Sequence, residues 1–301
     1  MTTILTTGAT GKQGGSVINS LLEKKAPFKI LAVTRDVNSP AAKKLAQKSE
    51  NITLIEGNLD HPAAIFENAK RQCSTPVWGV FSVQTVNPRN DDEKRQGIAL
   101  IDESIKQNVE FFVYSSVDRH GTDSDHNPTP VPHFIHKHEI EVHLKAKATR
   151  HSNMQWTILR PVAFFDNFTP DYFGKVFTTA WKMSLKGKPL QLIATSDIGF
   201  FAAAAFMNPE AWKNHTLTLA GDELTFDEMA QTFKQQTGKD LPTTFTTPVW
   251  LMMTMVKELG VMFQWFFDQG FASDIPALKK LNPELKSFAD WLKTESQFET
   301  R

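Results

Sequence analysis

Thr3-Ile4-Leu5-Thr6-Thr7-Gly8-Ala9-Thr10-Gly11-Lys12-Gln13-Gly14 decides the fold. Strand-forming residues run directly into three glycines spaced three apart, and a helical pattern follows over about Gly14 to Lys24. At such a junction Gly8 permits a tight turn and Gly11 lets backbone approach a pyrophosphate. Gly14 lets helix and strand pack closely, with the phosphates at the helix N-terminus. A glycine turn alone says little, but in the first strand-helix unit of an alternating chain it indicates dinucleotide binding.

The alternation is present. Apolar strands are expected at Phe28 to Thr34, Ile52 to Glu56, Val77 to Val83 and Phe111 to Ser115. Helices between them are expected at Ala41 to Gln47, His61 to Ala69 and about Arg95 to Gln107. Continuous apolar strands separated by helices imply parallel units covered on both faces, an α/β Rossmann doubly wound parallel sheet. Gly121 to Pro132 is polar and proline-rich, hence a loop, and a helix starts near Phe134. Beyond the strand Thr157 to Arg160, a helix is expected at Phe173 to Leu185, a strand at Leu190 to Ile193, an apolar helix from Gly199, and a capped helix start at Thr225 with Glu228. Residues 1–155 then form a dinucleotide-binding Rossmann domain. Residues 156–301 carry the last sheet strands interwoven with a smaller mixed C-terminal cap for a substrate or partner.

Composition narrows the function. The 301 residues carry 33 basic and 33 acidic side chains, so no excess positive field favours nucleic acid or a membrane surface, and neither is an expected partner. Cys73 is the sole cysteine, which excludes an intrachain disulfide or a Cys-rich zinc module and fits a reducing compartment. The apolar run Phe200 to Met207 is far shorter than the roughly 20 residues that cross a bilayer. Strand-like sequence from Ile4 leaves no room for a targeting segment. The expected location is the cytoplasm.

Strand ends supply the next candidates, since ligands of open α/β sheets sit beyond the carboxyl ends of the strands. The second strand ends Val33-Thr34-Arg35-Asp36. Arg35 there would pair with the 2′-phosphate of NADP(H), whereas Asp36 turned inward would accept from the ribose of NAD. Asn58 and Leu59 would lie against adenine, and Gln84 and Thr85 near the ribose and nicotinamide half. Ser115 and Ser116 end the fifth strand, where a hydroxyl could orient a carbonyl.

The glycine spacing resembles the short-chain dehydrogenase/reductase superfamily, whose carbonyl reduction usually relies on Tyr-x-x-x-Lys: the phenol gives a proton, and the lysine lowers its pKa and holds the nicotinamide ribose. Here Tyr114 is followed four later by Asp118 and Tyr172 by Val176, so neither is that acid. Lys137 stands where the lysine belongs, with His133 in the tyrosine's place.

The whole chain resembles the NmrA-like family of atypical members. The resemblance rests on Gly8 to Val17, Val33-Thr34-Arg35-Asp36, His133-x-x-x-Lys137 with Glu139-Ile140-Glu141, Leu159-Arg160-Pro161 leading into Phe164-Phe165-Asp166-Asn167, and Asp197-Ile198-Gly199 before a helix. It implies NADP(H) as cofactor, with Gly8, Ala9, Thr10, Gly11, Lys12 and Gln13 on the phosphates, and Arg35, Asp36, Val37, Asn38 and Ser39 on the adenosine phosphate. It also implies Lys137 on the ribose, and Phe164, Phe165, Asp166 and Asn167 closing over the nicotinamide. Lys12 departs from the pattern by adding a cation, and the missing tyrosine departs from alcohol dehydrogenase chemistry.

Hydride comes from the cofactor, so the protein has to bind, orient and protonate. Lys137 or His133 could protonate an enolate or oxyanion. The expected function is an NADPH-dependent oxidoreductase acting on a small carbonyl, quinone or enone-like substrate. The alternative is a catalytically weak NADP(H) sensor that binds a regulatory protein partner such as a transcription factor. His138 and His143, five apart, fall on different helix faces, so no metal site is expected. The run from Asp123 puts Pro128 and Phe134 where a calcium loop needs Gly and Glu. The aromatic segments around Trp250 and Phe263 read as core or as the lining for a flat apolar substrate.

Overall fold

The computed structural model describes residues 1–86, 90–151 and 153–301, the side chains of 149–151 aside. Strand β1 (Thr2–Thr6) feeds the glycine turn and α1 (Lys12–Glu23), and the alternation continues through β2 (Phe28–Thr34), α2 (Pro40–Ala46), β3 (Ile52–Glu56), α3 (Pro62–Gln72), β4 (Val77–Ser82), α4 (Asp92–Lys106) and β5 (Phe111–Ser115). A 3-10 turn at Gly121–Asp125 precedes α5 (Pro132–His151), β6 (Gln155–Pro161) and β7 (Ala163–Phe164). A second 3-10 turn, Phe165–Asn167, leads to α6 (Tyr172–Leu185), β8 (Leu190–Ile193), α7 (Thr195–Met207) and α8 (Pro209–Trp212). The chain finishes with β9 (His215–Leu219), β10 (Asp222–Leu224), α9 (Phe226–Thr237), α10 (Thr246–Met255), α11 (Lys257–Asp268), α12 (Ile275–Leu281) and α13 (Phe288–Thr294).

Seven strands form one sheet in the order β3-β2-β1-β4-β5-β6-β9. The pairs from β3 through β6 are parallel. This is the Rossmann doubly wound sheet that the alternation implied, and its order reverses between β1 and β4, the switch point where such folds take their ligands. The smaller component is mixed as expected: β8 runs parallel to β7 and antiparallel to β10.

Contacts cluster into two compact units. The first comprises residues 1–116, 136–160 and 198–217, and the second 117–135, 161–197 and 218–301. In the first, Leu5, Leu31, Val80 and Phe112 of the central strands are buried under α3, α4 and α5 through Ile65, Leu100 and Ile140. On the other side Trp78 stacks between Phe28 and Phe111, with Phe206 of α7 edge-on to all three. In the second unit Trp181, Phe168, Phe263, Trp265, Phe288 and Trp291 share one core. Most of the C-terminal aromatics are thus packing residues, while Trp250, Leu251 and Met255 of α10 remain exposed.

Several expected helix starts shift, and α4 begins at Asp92 rather than about Arg95. Helix α1 begins at Lys12, before Gly14. Helix α7 begins at Thr195, so Gly199 lies within it rather than opening it. The Asp166 carboxylate marks that start by accepting from the Thr195 amide (3.1 Å) and hydroxyl (2.9 Å). Gly199 instead lets α7 approach α1: a Cβ there would stand 2.5 Å from the Ser16 carbonyl oxygen. At Thr225 the capping box is complete, its hydroxyl taking the Glu228 amide and the Glu228 carboxylate taking the Thr225 amide. Among the described residues no helix is long and apolar enough to cross a membrane.

Candidate functional site

The glycine turn is built by backbone constraints. Gly8 has φ +58°, a left-handed conformation, and a Cβ on it would lie 2.8 Å from the Val83 side chain. The Gly11 amide donates to the Gly8 carbonyl (2.9 Å), closing the turn. A Cβ on Gly14 would lie 2.4 Å from the Gly8 oxygen and 2.5 Å from the Thr7 oxygen. The ends of β1 and β4 are clamped together: the Thr7 hydroxyl donates to the Val83 carbonyl (3.1 Å) and accepts from the Val83 amide (2.9 Å). Helix α1 starts from Gly11 with no side-chain cap and no acidic residue in its first turn. Its positive end is therefore left for an anion.

A cavity of about 460 Å³ opens beside this turn, lined wholly by first-unit residues. Of the expected residues, Gly8, Thr10, Gly11, Arg35, Asn58, Leu59 and Thr85 line it. So do Asp92 and Gln96 of α4, which sequence reasoning missed because the helix was expected only from about Arg95 and polar residues there read as solvated. Gln96 and Arg95 donate to Asp60 beside the cavity, and these hydrogen bonds hold its carboxyl down at about 2. Ala9 is buried in the turn. Lys12 and Gln13 open α1, where the Gln13 side chain accepts from the Ser115 hydroxyl (2.5 Å).

Arg35 is exposed at the cavity's lip. Asp36 accepts the Asn38 amide (2.8 Å), Val37 is half-buried, and the Ser39 hydroxyl caps α2 at Ala42. The inward-turned Asp36 is therefore not what the structure shows: that carboxylate closes its own local turn. Gln84 does not line the cavity. It is buried, donating to the Ser82 hydroxyl (2.9 Å), and its Oε1 has no hydrogen-bond partner among the described residues.

Lys137 is nine-tenths buried, with its ammonium 2.9 Å from Glu93 Oε1 and donating to the Ser115 carbonyl (3.3 Å). Ser116 donates to Glu141, which also holds Arg160 through the guanidinium Nε and Nη2 (2.6 Å at the shortest). In the second unit His133 is the second residue of α5, with Nδ1 2.6 Å from Glu258 Oε1. Glu258, an acid in a run of apolar sequence, offered no spacing that linked it to His133.

The family model for NmrA-like proteins matches residues 1–294. The chain belongs to the NmrA-like family. An NmrA-like family domain-containing oxidoreductase of Aspergillus hancockii is 29% identical over 259 residues, covering 77% of this chain and 71% of the relative. Among solved structures, the chain is similar to Citrobacter sp. triphenylmethane reductase complexed with NADP(H) (TM-score 0.73, 18% identity, 97% and 99% of the two chains). It is also similar to the NADPH-dependent quinone oxidoreductase of Escherichia coli complexed with NADPH (0.71, 19%, 97% and 98%). A third is NmrA, a negative transcriptional regulator, in complex with NAD (0.69, 18%, 98% and 95%).

Several residues that carry the NmrA-like pattern are structural in this chain. Arg160 and Glu141 are a buried ion pair, each side chain 2% exposed. Within Phe164–Asn167, Phe165 is fully buried against Phe288 and Trp291, and Asp166 is taken up at the start of α7. Only Phe164 and Asn167, both half-buried, have side chains not committed in this way. The NmrA-like Asp197 sits inside α7 with Asn282 and the Lys286 amide, and burial raises its carboxyl to about 6.

Proposed function

We propose that this protein binds NADP(H) at the glycine turn and reduces a small carbonyl, quinone or enone-like molecule. The observation that carries the reading is the cavity bounded at one side by the uncapped start of α1 and at its lip by Arg35. A dinucleotide fits that cradle: the Gly8 and Gly14 positions exclude a Cβ, so the turn keeps the tight course that would let backbone amides approach a pyrophosphate. Arg35 rather than Asp36 reaches the cavity, which favours the 2′-phosphorylated nucleotide. Asn58 and Leu59 would meet adenine, Thr85 the ribose side, and Lys137 the nicotinamide ribose. Residues 1–155 would hold the nucleotide, and the later residues the substrate or a partner.

Bound NADPH would supply the hydride. The chain's part is to hold that cofactor and deliver a proton. His133 suits the proton step because Glu258 fixes Nδ1, which orients the ring and leaves Nε2 for exchange. Support for reduction also comes from relatives named as oxidoreductases and from neighbours named as reductases. The burial of Lys137 against Glu93, together with the neighbour named as a transcriptional regulator, favours a second reading, an NADP(H) sensor with little turnover that binds a regulatory protein. Calorimetry with NADPH and NADH, followed by NADPH absorbance with a panel of quinones and enones, tests both. Tight NADPH binding with consumption is expected; tight binding without consumption by any acceptor would move the assignment to the sensor, and no binding of either nucleotide would refute both.

A further inference from the structure

Glu93 is 1% exposed, and neither of its carboxylate oxygens accepts a hydrogen bond among the described residues. Among the described residues its one counter-charge is Lys137, at 2.9 Å. A buried carboxylate without hydrogen bonds is costly, so its position calls for an explanation beyond helix capping.

The helix crossing explains how the pair is brought together. Gly97 lies one turn after Glu93 on α4, and Ile140 lies three residues after Lys137 on α5. A Cβ on Gly97 would be 2.5 Å from the Ile140 side chain, so the two helices approach as closely as a glycine allows. One turn N-terminal on each, the acid and the ammonium face one another. Lys94 and Glu139 form a second, more exposed pair across the same two helices (3.0 Å).

An ammonium has three N–H donors. One is directed at the Ser115 carbonyl and the charge is matched by Glu93, so Lys137 is oriented before any ligand arrives. Without Glu93 its long stem would regain rotamer freedom and its ammonium would lose the counter-charge that holds it in place. From β5, the Tyr114 ring lies 5.8 Å from the ammonium and the Ser115 carbonyl accepts from it.

We propose that Glu93 is a positioning residue for the cofactor, holding Lys137 aimed so that its remaining donor takes the nicotinamide ribose. This rests on the NADP(H) reading above. The test compares NADPH with 2′,5′-ADP, which lacks the nicotinamide ribose, by calorimetry on the full chain as wild type, Glu93→Gln, Lys137→Met and the double variant. Glu93→Gln should weaken NADPH about tenfold, the worth of one hydrogen bond to a charged group, and leave 2′,5′-ADP unchanged. The double variant should bind NADPH no more weakly than Lys137→Met.

Equal affinities of wild type and Glu93→Gln for both ligands would overturn the assignment, as would a parallel loss of both. Tighter NADPH binding by Glu93→Gln would show that Glu93 competes with the ribose and would overturn it too. Should Glu93→Gln fail to fold, Glu93→Asp takes its place, with a smaller NADPH-selective loss expected and no loss counting against the proposal. Wild type binding neither ligand would refute the cofactor reading itself, whereas wild-type binding with an indifferent Glu93→Gln would remove only this inference.

Discussion

Two adjacent glycines should respond to the same substitution in opposite ways. In Gly14→Ala the new Cβ would lie 2.4 Å from the Gly8 oxygen, 2.5 Å from the Thr7 oxygen and 2.6 Å from the Gly8 carbonyl carbon. All three atoms are backbone, so no rotamer change relieves the contact, and the turn itself has to move by more than half an ångström to reach ordinary separation. Overpacking of this kind costs about 1–3 kcal/mol, partly offset by the ~1 kcal/mol that alanine gains over glycine inside a helix. The larger effect is on the ligand. Turning two amides away from a charged phosphate removes about 3–6 kcal/mol, more than a hundredfold in affinity at ~1.4 kcal/mol per decade. In Gly15→Ala the nearest atom is the Ala9 oxygen at 3.4 Å, ordinary contact, so binding should persist and the helix should gain stability. Calorimetric NADPH titration and thermal melting of the two variants measure both effects. Gly14→Ala binding within about threefold of wild type, or Gly15→Ala failing equally, would refute the reasoning about the turn.

Arg35→Asp should move preference from NADPH toward NADH by about tenfold or more, since one guanidinium–phosphate pair is exchanged for a carboxylate that accepts ribose hydroxyls; competition titrations with the two cofactors would reveal an unmoved ratio. Glu258→Gln should lower kcat with a quinone acceptor about tenfold or more while sparing NADPH affinity, because it releases the His133 ring; loss of cofactor binding instead would place Glu258 elsewhere in the chemistry. Asp197 offers a pH test. Burial raises its folded value to about 6 from 3.8, so folding takes up a proton between those values, and the stability this adds at low pH is lost as pH rises through about 6. The contribution is at most about 3 kcal/mol at 1.36 kcal/mol per unit. Melting curves should therefore show Asp197→Asn faring better against wild type at pH 7.5 than at pH 5, and an unchanged difference would contradict the burial argument.

Strands bounded by turn residues were legible to the residue. Phe28–Thr34, Ile52–Glu56, Phe111–Ser115 and Leu190–Ile193 are apolar-rich runs whose ends are marked by Arg, Gly, Ser or Ala-Thr breaks, a pattern that full burial enforces in β5 and β8. By contrast β9 reads His-Thr-Leu-Thr-Leu and is only half-buried along most of its length, so its signal was indistinguishable from a loop. The glycine turn announced the site because backbone geometry there demands glycine. Arg119 did not announce itself: within a polar loop it looks solvated, yet it is fully buried and donates to the carbonyls of Val117, Ser124 and Asn127. Glu93 and Glu258 were invisible for a related reason, since their meaning lies in partners 44 and 125 residues away, a distance over which a single sequence carries no periodicity.

The interleaved order of the two units has a consequence for biosynthesis. Completing the first unit requires residues 198–217, which leave the ribosome only after two stretches belonging to the second. Its far strand, β9, reaches β6 across more than fifty intervening residues, so the loop-closure cost falls late and slows assembly. The glycine turn at the N-terminus therefore waits, with its sheet unfinished, until more than two thirds of the chain has been translated, and a fragment ending at residue 155 would expose an open edge prone to pairing with other chains.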